Sequence, residues 1–220
     1  MKVTSDACIF GAYLDLENAE TVIDIGTGTG LLALMAAQRT QADIHAVEID
    51  ESACIQANEN IAGSPWQHRI SVYRGSIQEY LQQQGGIRNH FDTVICNPPF
   101  YSENTKSKHL QKRIAWHDDT LNHTELVAIV ADLLQSRGKF HVLLPDTQMD
   151  DFNRKSLEVG LFPYSACFLK SYTTSQPHRV IASYCPVKRD LARSEVVIYH
   201  SHQVLSETCK RLLSPFIISP

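Results

Sequence analysis

Apolar and polar positions follow two alternating rhythms in the first hundred residues. Short apolar runs recur at Thr21-Val-Ile-Asp-Ile25, Ile44-His-Ala-Val-Glu-Ile49, Ile70-Ser-Val-Tyr73 and Phe91-Asp-Thr-Val-Ile-Cys96. Between them lie longer stretches with apolar positions at helical spacing: Leu31 to Gln38, then Glu51 to Ile61 with Ala53, Ile55, Ala57 and Ile61, then Ile77 to Gln84. Strands that alternate with helices predict βαβ units, hence a parallel, doubly wound sheet with helices on both faces. The second half changes rhythm. Residues 101–121 are polar and basic without a period and read as a long loop. A helix over Glu125–Ser136, a fifth strand over Lys139–Leu144 and a helix over Asp150–Val159 follow. Leu161–Ser171 and His178–Pro186 read as an antiparallel pair joined by the turn-rich Tyr172–Pro177, which places a reversed strand at the sheet edge. The tail holds a strand at Val196–Tyr199 and a short helix near Val204–Leu213. No repeat or low-complexity tract divides the chain, so residues 1–220 read as one domain.

Composition narrows the class. The chain has 220 residues, 43% of them hydrophobic and 20% charged, which excludes a disordered polymer. No apolar run approaches the roughly 20 residues of a membrane span, and Lys2 with Asp6 close behind does not make a signal peptide. The six cysteines are scattered, without a Cys-x-x-Cys pair, as expected of reduced, buried thiols in a cytoplasmic protein. His200 and His202 share one strand face, but two histidines are a weak metal signal, and no metal is expected.

Two motifs carry chemistry. The first strand runs into Asp24-Ile-Gly26-Thr-Gly28-Thr-Gly30 and then a helix. Glycines there permit positive φ and close approach of a ligand to the backbone. Glu48 ends the second strand, 18 residues beyond Gly30, where a carboxylate can accept both hydroxyls of an adenosine ribose. The glycine spacing differs from the dinucleotide fingerprint Gly-x-Gly-x-x-Gly.

The second motif, Asn97-Pro98-Pro99-Phe100, ends the fourth strand. In open α/β sheets ligands bind beyond the carboxyl ends of the strands. Two prolines stiffen the loop and remove two N–H donors. What remains is an acceptor set, the Asn97 side-chain oxygen and the Pro98 carbonyl, suited to a substrate –NH2 group. Phe100 offers a face on which a planar base can stack. Holding both N–H bonds of a conjugated amine draws its nitrogen toward tetrahedral geometry and aims the lone pair, largely a proximity effect.

Asp-x-Gly-x-Gly-x-Gly followed by Glu48 resembles the S-adenosylmethionine-dependent methyltransferases, and Asn97–Phe100 resembles the amino-methyltransferases with an (Asn/Asp)-Pro-Pro-(Tyr/Phe/Trp) loop. Within these the chain is most similar to the bacterial tRNA1(Val) (adenine-37-N6)-methyltransferases. The likeness covers nearly the whole chain: Lys2-Val-Thr-Ser-Asp6 through Tyr13, Asp24 to Thr40, Ala57-x-Glu59-Asn-Ile61, Ser64-Pro-Trp66, Asn97-Pro-Pro-Phe-Tyr101 and Pro177-His-Arg179-Val. The resemblance implies a Rossmann-like class I fold, a seven-stranded mostly parallel sheet with one antiparallel edge strand. It implies S-adenosyl-L-methionine as cofactor and a tRNA substrate methylated on N6 of the adenosine 3′ of the anticodon.

By the same resemblance the cofactor contacts Asp24, Gly26, Gly28, Gly30, Glu48, Ile49, Ser76, Ile77 and Asn97. Asn97, Pro98 and Phe100 are the catalytic set, and residues 2–13 lie against the cofactor. A monomer is expected. Three departures stand out. Arg74-Gly75-Ser76-Ile77 has Ser76 where the family has a carboxylate that meets the cofactor adenine, so weaker cofactor binding is expected. Ala115-Trp116-His117 lacks an arginine that the family tends to carry. Members also have a short Phe- and Gln-containing segment ahead of the position matching Lys2; the sequence starts at Met1 without it, so either its start is assigned late or part of the cofactor cover is lacking.

The acceptor loop equally suits the amide of a protein glutamine or the N2 amine of guanine in ribosomal RNA, and both remain alternatives. A nucleotide-binding dehydrogenase accounts for the glycine loop alone. Substrate contacts are expected from Pro99, Tyr101, Lys106, Lys108 and Arg179, with Lys112, Arg113 and Lys170 nearby. The net charge of −4 averages two unlike halves. Residues 1–100, the cofactor-binding half, carry 5 Lys and Arg against 12 Asp and Glu; residues 101–220, the substrate-facing half, carry 15 against 12. RNA binding is therefore expected to be modest and strongly salt-dependent.

Overall fold

The structure, a computed structural model, describes residues 3–98 and 121–216. Its eight-stranded sheet runs β3-β2-β1-β4-β5-β7-β6-β8. The strands are β1 (Thr21–Ile25), β2 (Asp43–Glu48), β3 (Ile70–Arg74), β4 (Phe91–Cys96), β5 (Leu134–Pro145), β6 (Phe162–Lys170), β7 (Pro177–Cys185) and β8 (Ala192–Val197). A small hairpin of β9 (Tyr199–Ser201) and β10 (Val204–Leu205) stands apart. The described helices are α1 (Ser5–Tyr13), α2 (Leu31–Arg39), α3 (Glu51–Ala62), α4 (Ile77–Gln83), α5 (His123–Leu133), α6 (Met149–Glu158) and α7 (Glu207–Leu213).

The sheet is parallel from β3 to β5, as the alternating pattern predicts. β7 runs against both β5 and β6, and β8 pairs parallel with β6. The strand count is eight rather than the seven that the resemblance implies; the last, Ala192–Val197, starts four residues before the strand read at Val196–Tyr199 and adds to β6. The reversed strand β7 falls near that edge, with β6 and β8 outside it. Two cores sandwich the sheet. On one face Ile9, Phe10, Leu32, Ala36, Ile61 and Leu213 pack from α1, α2, α3 and α7. On the other, Ile77, Tyr80, Leu126, Val130 and Phe152 pack from α4, α5 and α6.

Three elements depart from the apolar pattern. α1 is buried at Ile9, Phe10, Gly11 and Ala12 and has no polar face. It therefore shows no helical period; its sequence mark is Thr4, whose hydroxyl caps the Ala7 amide. The helix expected over Glu125–Ser136 ends at Leu133, because Leu134 pairs with Phe91 and opens β5. The tail helix starts at Glu207 behind a Ser206 cap, its expected first residues being spent on β10.

Helix ends are tied by arginines. Arg39, at the end of α2, donates to the carbonyls of Gly11, Ala12 and Leu14 that close α1, at 3.0, 3.2 and 2.8 Å. Arg69 does the same for α2, donating to Ala37, Thr40 and Ala42. These forks satisfy terminal carbonyls that the helix leaves open and place positive charge at the negative end of each dipole. α1 also fits α2 at Gly11, where an added Cβ would lie 2.5 Å from the Met35 sulfur.

An Arg39→Lys protein keeps the charge but not the fork. It is expected to lose about 1–2 kcal/mol of stability in urea unfolding, with amide exchange accelerating first in α1. Unchanged exchange at residues 7–13 would count against the capping role.

Candidate active site

Strand order reverses between β1 and β4, since the chain moves outward from β1 to β2 and β3 and then returns to the other side. The crevice beyond the carboxyl ends at such a switch point is where open α/β sheets hold ligands. The glycine loop leaves β1 here and Asn97 leaves β4 here. The register pairs Asp24 with Ile95 and Ile25 with Cys96, so Asn97 falls on the same sheet face as Asp24, further toward the carboxyl edge.

The glycine loop is lashed to the end of β2. The Gly26 and Thr27 amides donate to the Val47 carbonyl at 2.8 and 3.0 Å, and the Gly28 amide donates to Glu48 Oε2 at 2.7 Å. Glu48 Oε1 takes the Asp50 amide at 2.8 Å. Each carboxylate oxygen retains a lone pair for a further donor. Gly26, Gly28 and Gly30 adopt φ of 72°, 59° and 83°, the left-handed region. The positions differ in purpose. A Cβ at Gly26 would meet nothing within 4 Å, so the loop there faces open space; a Cβ at Gly30 would press on Ala57 and Ile61 of α3. Asn60 braces the loop by donating to the Thr29 carbonyl at 2.9 Å.

Two orphaned acceptors point to a ligand. Asp24 is fully buried; its Oδ2 accepts from the Thr27 hydroxyl at 2.6 Å while its buried Oδ1 has no partner. Among the described residues Asn97 Oδ1 is likewise buried and without a partner. A buried unsatisfied acceptor is costly and calls for a specific explanation, a bound ligand being one. Burial pushes the Asp24 carboxyl up to about 7, with Glu48 adding to the rise and the Thr27 hydroxyl opposing it. Two carboxyl groups and a third acceptor in one crevice favour a cationic, donor-rich ligand. An adenosyl sulfonium with an amino acid tail has those properties, and the residues present fit it.

The other expected site residues are placed as follows. Ile49 is 49% exposed just beyond Glu48 and offers apolar surface at the rim. Ser76 caps α4: its hydroxyl takes the Glu79 amide at 3.1 Å and its own amide donates to Glu79 Oε2 at 2.8 Å. Ile77 is buried in the core under α4. Pro98 follows Asn97 at the carboxyl edge. Pro99, Phe100, Tyr101, Lys106, Lys108, Lys112, Arg113 and the stretch Ala115–His117 lie outside the described residues. Arg179 opens β7 opposite Pro145; its Nη1 donates to the His178 carbonyl at 2.9 Å and its Nε lies 4.0 Å from Asp6. Lys170, at the end of β6, pairs with Glu195 at 2.7 Å.

Sequence reasoning did not foresee two parts of the site. Thr27 satisfies one oxygen of Asp24, and Asp6 at the start of α1 reaches His178 Nε2 at 3.2 Å. The only signal for the second was an acid and a base, each opening an element.

Comparison with known proteins agrees with this geometry. Residues 7–143 match the family model of the methyltransferase small domain. The chain is 37% identical over 220 residues to the tRNA1(Val) (adenine(37)-N6)-methyltransferase of Salmonella typhimurium, covering 99% of this chain and 89% of the relative. A predicted O-methyltransferase from Agrobacterium tumefaciens shares the fold at a TM-score of 0.71 and 14% identity, over 96% of each chain. A glycopeptide N-methyltransferase complexed with S-adenosylmethionine shares it at 0.51 and 13%, over 77% of this chain and 82% of the other.

The raised Asp24 group has a stability consequence with a defined sign. The folded state holds a proton that the unfolded chain releases above the ordinary value of 3.8, so stability drains as pH rises toward about 7. Asp24→Asn is expected to raise the thermal midpoint of the ligand-free protein at pH 8, to leave it nearly unchanged at pH 4, and to weaken S-adenosylmethionine binding in calorimetry at least about tenfold. A lower midpoint at pH 8 would contradict the assignment.

Proposed function

The chain belongs to the methyltransferase small domain family and, within it, to the tRNA1(Val) (adenine(37)-N6)-methyltransferases, and from that premise we propose that it methylates N6 of the adenosine 3′ of the anticodon in a valine tRNA. S-Adenosyl-L-methionine is the cofactor, and when bound it supplies an electrophilic methyl group on sulfonium. Asp24, the glycine loop and Glu48 would hold it, Glu48 accepting from ribose hydroxyls and Asp24 Oδ1 from a donor of the cofactor, and Ile49, Ser76 and Ile77 would meet its adenine.

The observation that carries the reading is the buried, unpartnered Oδ1 of Asn97 at the carboxyl end of β4, on the Asp24 face of the sheet. An exocyclic amine brings two N–H donors. Asn97 Oδ1 accepts one and the Pro98 carbonyl accepts the other. Held this way the nitrogen loses conjugation with its ring, and its lone pair is freed to take the methyl group that the bound cofactor would supply, the sulfur keeping the bonding pair. The alkylated nitrogen is acidic and releases its proton to solvent, so no strong base is needed before transfer. In this reading Phe100 has the role of stacking on the extruded base, and Pro99, Tyr101, Lys106, Lys108 and Arg179 are the expected substrate contacts. The enzyme works as a monomer in the cytoplasm; no described helix is long and apolar enough to cross a membrane.

Asn97→Ala removes an acceptor that has no partner in the ligand-free fold, so stability should change little. Its kcat is expected to fall by roughly 10²–10³, the usual loss for a donor or acceptor aimed at the reacting group. Full activity on tRNA would sink the mechanism. Labelled S-adenosylmethionine added to total RNA and protein from a strain lacking the gene tests the substrate. Label is expected in N6-methyladenosine of a valine tRNA; label in glutamine or N2-methylguanosine would replace this reading with one of its rivals.

A further inference from the structure

The sheet edge beside Asn97 is not level. Cys96 pairs with Val142, and Val142 with Ala182 and onward to Ala166, yet β5 continues to Pro145, β7 begins at Pro177 and β6 runs to Lys170. The β7–β6 pair therefore rises about four residues, on the order of 13 Å, past the end of β4. It forms a wall along one side of the crevice. At its crest the chain turns through Ser171–Gln176, with the Ser175 amide bonded to the Tyr172 carbonyl at 2.9 Å.

The crest carries a pair of aromatic rings. Tyr172 is 37% exposed, and its ring lies 5.9 Å from that of Tyr199, tilted by 42°. Backbone bonds fix the pair: the Ile198 amide donates to the Lys170 carbonyl at 2.8 Å and the Tyr199 amide to Ser171 at 2.9 Å. One face of the pair is thus held by protein while the Tyr172 ring keeps exposed area. Residues 170–179 contain Lys170, His178 and Arg179 and no acid; residues 196–206 contain His200 and His202 and no acid. Acids of neighbouring elements face them: Glu195 pairs with Lys170, Asp6 with His178 and Arg179, and Glu207 lies near His200.

We infer that Tyr172, backed by Tyr199, is a stacking platform for a nucleotide that flanks the target adenosine. Exposed aromatic rings in a basic setting bind single-stranded nucleic acid because every base presents a π-face. Three strand spacings separate β4 from β6, about 14 Å, so with the height of the wall the platform stands on the order of 15–20 Å from the reacting nitrogen. That is a reach of a few nucleotides. The platform holds a neighbour of the flipped base and keeps the strand directed into the crevice. It rests on the RNA reading above and adds a contact that the motif loop does not provide.

The test uses the full-length protein with a valine tRNA transcript and with its anticodon stem-loop. Tyr172→Ala is expected to weaken RNA binding about tenfold and to raise KM by a similar factor with kcat little changed. S-Adenosylmethionine binding and the thermal midpoint should match the wild type. Tyr172→Phe keeps the ring and should bind like the wild type, which separates stacking from loss of a hydroxyl or of fold. Stem-loops with an abasic site at each position within three nucleotides of the target locate the partner base. At one position the abasic RNA should weaken the wild type as much as Tyr172→Ala does, and the two losses should not add. Wild-type affinity in Tyr172→Ala, or additive losses at every position, overturns the platform and leaves tRNA methylation standing. Failure of the wild-type protein to methylate RNA overturns both.

Discussion

The bond between the Gly28 amide and Glu48, 2.7 Å long, is the contact on which the site depends. It joins the loop after β1 to the carboxylate that ends β2, while the Gly26 and Thr27 amides hold the neighbouring Val47 carbonyl. Three successive amides of the loop are consumed by one strand end. The loop is therefore set by the sheet and not by its ligand. It needs left-handed backbone at three glycines to make that approach. Those three amides are therefore not available to a ligand. Asp24, Glu48 and Asn97 bring carboxyl and carbonyl oxygens to the crevice beside them.

Those oxygens set the electrostatics. A dinucleotide site offers N–H groups and a helix dipole to a pyrophosphate. Here Asp24 and Glu48 stand close enough for Glu48 to push the Asp24 carboxyl upward, and burial pushes it further. An anionic ligand would meet two acids. A cationic one relieves their repulsion and fills the vacant lone pair of Asp24. The preference for a sulfonium cofactor over a nicotinamide dinucleotide thus follows from which groups the loop leaves open, and it agrees with the family to which the chain belongs.

Much of this was legible in the sequence because it is local. Each of the first four strands is a short apolar run, and the two chemical motifs sit directly at strand ends, so pattern alone put Asp24, Glu48 and Asn97 on one edge of a sheet. Four features were not read from the pattern. α1 is apolar on all sides because α2 and α7 cover it, and a helix without a polar face has no period to read. β5 takes Leu134 from the preceding helix because a partner, Phe91, lies 43 residues upstream in the chain. Ser76 looked like a ligand contact, yet its hydroxyl and amide both engage Glu79, a capping box written in the sequence as Ser-x-x-Glu. The contact from Asp6 to His178 spans 172 residues and had no sequence pattern behind it.

The acceptor loop recognises very little of a substrate. Two carbonyl-type oxygens and a stacking ring accept any planar group that bears an –NH2, and adenine, guanine and glutamine all qualify. Choice among them has to come from contacts farther from the nitrogen. The cofactor side of the crevice cannot supply those contacts, because β1, β2 and β3 are committed to the nucleoside and carry the acidic half of the chain. The side of the crevice that remains is built by β5, β7 and β6, the strands that outgrow β4 and bring basic and aromatic residues to its edge. The reversed strand matters for this reason. Running β7 antiparallel places its first residues, His178 and Arg179, at the carboxyl edge instead of at the far end of the sheet. Tyr172 reaches the same edge because it follows the carboxyl end of β6, which runs in the direction of β5. A β7 parallel to them would instead carry His178 and Arg179 to the opposite edge.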